Sequence, residues 1–106
     1  IIDFCNETGR RITLDTAHLS MYCCFKKVDF HSALEKLLPV STHLHMSDAE
    51  GLNGEGVEIG AGDIDFGHIL KLLTKDQSFI VETWQGHKNR GAGFKRDLIY
   101  LSEKDV

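Results

Sequence analysis

This chain lacks a cysteine arrangement that would hold a metal or a disulfide framework. Its cysteines are Cys5 and the adjacent pair Cys23 and Cys24. Neighbouring cysteines pair awkwardly, an odd count leaves one over, and no C-x-x-C occurs, so reduced thiols in a cytoplasmic protein are expected. Basic runs are missing too. The formal net charge is −4, with no block of lysine or arginine, which argues against nucleic acid as the main partner, since such surfaces use a basic stripe. No apolar run approaches the roughly 20 residues of a membrane-spanning helix. No signal peptide opens the chain, so neither membrane insertion nor secretion is expected. What remains is ordinary globular material: 42% of the 106 residues are hydrophobic, enough for a core. That length fits one small domain or part of a larger one.

The apolar pattern alternates between two kinds of segment. "RITLDTAHL" (11–19), "STHLHMS" (41–47) and "SFIVETW" (78–84) read as buried strands. "VDFHSALEKLL" places Phe30, Leu34, Leu37 and Leu38 on one helical face behind an Asp29 cap. "IDFGHILKLL" does the same with Phe66, Ile69, Leu70 and Leu73 behind Asp65. "GFKRDLIYLSE" is a third helix starting after Gly93, and "IIDFCNETG" reads as the end of a helix stopped by Gly9. Strands alternating with helices imply a parallel α/β sheet. Parallel sheets need both faces covered, and three strands do not achieve this alone. Residues 1–106 are therefore expected to be one partial domain, the C-terminal three βα units of a (β/α)8 TIM barrel. The apolar groups of strands 12–15 and 80–81 then point both ways, so an isolated chain is expected to self-associate.

In such barrels the chemistry sits at the carboxyl ends of the strands. The three strands here end in "LDTAH", "HLHMSD" and "IVETW", so each brings a ligand type to the same end: Asp15 with His18, His45 with Asp48, and Glu82. One acidic residue at a strand end is commonly a helix cap. Three successive strands ending this way point to a shared site of imidazole and carboxylate donors. Alternation puts His43 and His45 on one side of their strand. His45 lies nearer the reactive end, and His43, one layer deeper, is expected to be a hydrogen-bonded histidine. Asp48 either orients His45, binds substrate or caps a loop. The five glycines of "AEGLNGEGVEIGAGDID" do not form the G-x-G-x-x-G of a dinucleotide cradle. They read as a shaped active-site loop in which Glu55 and Glu58 are candidate contacts beside their default as solvated acids. After the last strand, "WQGHKNRGAGF" offers Trp84 as a pocket wall and His87, Lys88 and Arg90 as charges for a phosphate or a sugar hydroxyl.

Together, "LDTAH", "HLHMSDAEG…GEGVEIGAGDIDFGHIL" and "FIVETWQGH" resemble the C-terminal part of xylose isomerase-like TIM-barrel proteins. That superfamily includes sugar-phosphate isomerases, ketose 3-epimerases, hydroxypyruvate isomerases and the endonuclease IV type of abasic-site nuclease. The resemblance covers nearly the whole chain and implies a divalent ion (Mn, Mg, Co or Zn) held by Glu, Asp, His and Glu on successive strands. Asp15, His45 and Glu82 match the second, third and fourth ligands. The first glutamate has no counterpart here, which implies little turnover by these 106 residues alone. His18 matches a substrate-contacting or second-metal histidine. The implied activity is isomerisation or epimerisation of a sugar or sugar phosphate, with Glu82 as catalytic base as well as ligand. The 3-epimerases usually show an arginine shortly after the ligand histidine, where this chain has "SDAEG". Alternatives are an endonuclease IV-like phosphodiester hydrolase, disfavoured by the negative charge, and a non-catalytic partner-binding fragment.

Overall fold

The computed structural model describes residues 1–105. A first helix, α1 (Ile2–Thr8), ends where expected: Gly9 is left-handed (φ +74°) and its N–H bonds the carbonyl of Cys5. Strand β1 (Ile12–Asp15) follows and stops earlier than the alternation suggested. The residues expected to continue it to Leu19 instead open helix α2 (Thr16–Lys26). The reason is local: the Asp15 carboxylate accepts the His18 N–H at 2.9 Å and caps the helix. Leu19 and Cys23, one helical turn apart, are then buried together.

Helix α3 (Phe30–Leu37) starts behind Asp29, whose carboxylate accepts the Ser32 N–H. A short 3-10 turn containing Pro39 leads into β2 (Ser41–Met46). The glycine-rich loop is partly regular. β3 (Asp48–Glu50) and β4 (Gly54–Val57) form a small antiparallel hairpin. Helix α4 (Phe66–Leu72) is capped by Asp65 as expected, and β5 (Ser78–Val81) follows. Helix α5 (Lys88–Lys104) is irregular at its start, where Asn89, Arg90 and Gly91 are left-handed.

The main sheet has the order β1-β2-β5, all parallel. Parallel neighbours joined in the same direction are expected to cross over with one hand, which would put the connecting helices on one face. Burial agrees. Leu14, Leu44 and Met46 point to that side and form the core with Ala17, Leu19, Leu34, Phe66, Ile69 and Leu101. Thr13, Asp15, His43, His45, Ser78 and Ile80 alternate to the other face, which no helix among the described residues covers. The expectation that apolar groups point both ways holds at β5, where Val81 packs on the core and Ile80 turns to the open face, while the other positions named on that face are polar. No helix among the described residues is long and apolar enough to cross a membrane.

Candidate metal and substrate site

The three strand ends meet on the uncovered face. Asp15 pairs with His45 across β1 and β2, and His45 pairs with Ile80 across β2 and β5. Glu82 lies two residues beyond Ile80 and so returns to the same side. Its N–H still bonds the Met46 carbonyl at 2.8 Å, extending the ladder past β5. Thr16 ties the first two ends together, its hydroxyl donating to the Ser47 carbonyl at 2.8 Å.

One ligand atom each from Asp15, His45 and Glu82 lies within 4.8 Å of the other two. His45 Nδ1 is 3.2 Å from Glu82 Oε2. Donors bonded to one ion at about 2.1 Å stand roughly 3 to 4.2 Å apart, so side-chain adjustments of a few tenths of an ångström suffice. The donor set also fits. Two carboxylates and one imidazole suit a borderline or hard divalent cation, and the side chains are half-buried to exposed, leaving room for further ligands.

A second histidine sits beside this cluster. His18 Nδ1 is 2.9 Å from Asp15 Oδ2, and its Nε2 is 2.8 Å from Glu55 Oε2 on β4. The hydrogen bond to Asp15 chiefly raises the His18 pKa above 6.5; the charges of Asp15 and Glu55 add to this, and partial burial opposes it. The sequence left Glu55 a solvated acid by default, because nothing in it shows that the hairpin folds toward α2. A cavity of about 240 Å³ joins these groups, lined by Asp15, His18, Ser47, Glu55, Glu82 and Trp84, with Ala17 and Gly56. Trp84 is held by its N–H to the Gly56 carbonyl at 2.8 Å while 74% of the residue stays exposed.

Other expected site residues lie elsewhere. Asp48 is fully buried and does not line the cavity. Its carboxylate accepts N–H groups from Ala49, Gly60, Gly62 and Ile64 at 2.9–3.0 Å and so organises the loop, the capping role among its expected ones. His87, Lys88 and Arg90 do not line the cavity either, because the chain turns into α5 with these side chains outside it. Glu58 pairs with Arg96 at 2.7 Å. His43 is half-buried, with Nδ1 2.7 Å from the Ser78 hydroxyl.

One buried acid escaped the sequence reading. Asp97 on α5 is fully buried, accepting from the Ile59 N–H at 3.0 Å and the Thr83 hydroxyl at 2.5 Å. It therefore anchors the residue next to Glu82. The signal was present: Asp97 falls between Gly93 and Leu101 on the inward stripe of α5. Comparison with protein-family models, curated proteins and solved structures finds no match for this chain.

Proposed function

We propose that the sheet is a sector of a (β/α)8 barrel of the xylose isomerase-like kind and that its strand ends form a divalent-metal site for isomerising or epimerising a sugar or sugar phosphate. The observation that carries this reading is the convergence of Asp15, His45 and Glu82 from three parallel strands within 4.8 Å. The uncovered polar face supports the barrel, because a parallel sheet buries both faces and a barrel interior would enclose this one.

Asp15, His45 and Glu82 would hold the cation, which supplies polarisation of the sugar's carbonyl and hydroxyl oxygens when bound. Glu82, on the open face and lining the cavity, would take and return a proton on carbon. His18, its two ring nitrogens paired with Asp15 and Glu55, would hold both carboxylates in place at the edge of the cavity. Trp84 walls the cavity on the side of the β3–β4 hairpin. The net charge of −4, with no basic stripe, weighs against a nucleic-acid phosphodiester substrate. The test is interconversion of aldoses and ketoses by the full-length protein before and after chelation. Loss on chelation with recovery on adding Mn2+ or Mg2+ supports the reading, and undiminished turnover without metal overturns it.

A further inference from the structure

We infer that α3 and α4 carry a second metal site, a clamp for Zn2+ or a similar transition-metal ion, built from His31, Glu35 and His68. None of the three lines the strand-end cavity, and the inference does not rest on the activity proposed there. His31 and Glu35 lie on α3 and His68 on α4.

The first observation is a pair of orphaned nitrogens. His31 Nδ1 and His68 Nε2 are both buried, and neither has a hydrogen-bond partner among the described residues. Buried polar atoms are nearly always paired, so two orphans on touching rings point to a shared partner. The rings meet edge to face with centroids 4.4 Å apart. Two imidazoles bound to one ion have centroids roughly 4.5–5.2 Å apart, so a small opening of the pair admits it.

The second observation is the carboxylate beside them. Glu35 Oε1 stands 3.7 Å from His68 Nε2, too far for a hydrogen bond but within the roughly 3 to 4.2 Å between two donors on one ion. Glu35 follows His31 by four residues, so both side chains rise from one face of α3. These donors are less tightly gathered than Asp15, His45 and Glu82, whose ligand atoms already lie within 4.8 Å of one another. Rotation of the largely exposed Glu35 side chain closes the set. Glu35 also borders a cavity of about 250 Å³ with Leu72 and Gln77, where solvent can supply a fourth ligand.

Two imidazoles and one carboxylate favour Zn2+, Co2+ or Ni2+, whereas the carboxylate-richer strand ends suit Mg2+ or Mn2+. The bound ion would tie α3 to α4, and its binding energy would add to the stability of the fold.

Co2+ serves as a coloured stand-in for Zn2+ in the test. The full-length protein carrying Asp15→Asn and Glu82→Gln, which disable the strand-end site, is titrated with Co2+ in excess Mg2+. The expected result is one equivalent of bound Co2+ that Zn2+ displaces and that disappears on adding His31→Gln or His68→Gln. Glu35→Gln, on a side chain exposed enough to guard against misfolding, should weaken that equivalent about tenfold or more. Zn2+ should also raise the thermal unfolding midpoint, and either histidine substitution should abolish the rise. Co2+ binding that is absent, or that keeps its affinity in the histidine variants or in Glu35→Gln, overturns the inference.

Discussion

Asp15 uses one carboxylate for three contacts. Oδ1 caps α2 through the His18 N–H, Oδ2 holds the His18 ring, and the same group faces His45 and Glu82. Glu82 is less constrained, exposed at the end of the ladder. On the proposed isomerase reading, Glu82→Gln is expected to lower kcat for sugar interconversion by about 10²–10⁴-fold, the usual contribution of a general base. Steady-state rates against intact folding by circular dichroism check this. Asp48 belongs to stability instead. Asp48→Ala leaves four backbone N–H groups without their acceptor in a buried site, and a loss of about 3 kcal/mol or more is expected in denaturant unfolding. Asp97 gives a pH signature. Burial raises its pKa above 3.8, helped by Glu58, while the bonds from Thr83 and Ile59 and the charge of Arg96 oppose the rise. A raised folded-state pKa means the folded protein binds this proton more tightly than the unfolded chain. The contribution to stability is thus full below 3.8 and is lost as pH rises through the raised value. The stability of wild type relative to Asp97→Asn should fall with rising pH across that window, and a difference independent of pH would contradict the assignment.

At the scale of elements, caps were legible and strand ends were not. Asp29 and Asp65 announce α3 and α4 because each precedes an apolar stripe with helical spacing. The same kind of cap at Asp15 was hidden, since "ITLDTAHL" also alternates like a strand and its cap residue doubles as a site residue. The hairpin was hidden for another reason. β3 and β4 are short and glycine-rich, and their pairing depends on Asp48 gathering the loop from the far side. Gly62 shows how tight that gathering is, for a Cβ there would lie 2.6 Å from Asp48 Oδ1. Gly62→Ala should therefore cost about 1–3 kcal/mol through overpacking, measurable as a lowered unfolding midpoint. It should also weaken the Glu55–His18 contact, since the same loop carries Glu55.

For the whole molecule, the parallel order and the meeting of the strand ends followed from the sequence because both depend on alternation and chain order. The polarity of most of the uncovered face was not legible. Ile12 and Leu14 are neighbours of Thr13 and Asp15 in sequence, and only pairing fixes which set turns toward the helices. β1 and β5 each present an unpaired edge in the described sheet. Purified residues 1–106 are expected to associate through these edges, with sedimentation that depends on concentration; a monomer at all concentrations would contradict this. The central claim is that three strand ends act as one divalent-cation site, and Mn2+ titration followed by electron paramagnetic resonance tests it most directly. The expected result is one bound ion per chain, weakened at least about tenfold by each of Asp15→Asn, His45→Gln and Glu82→Gln. Failure to bind Mn2+, or binding that survives all three substitutions unchanged, would contradict it.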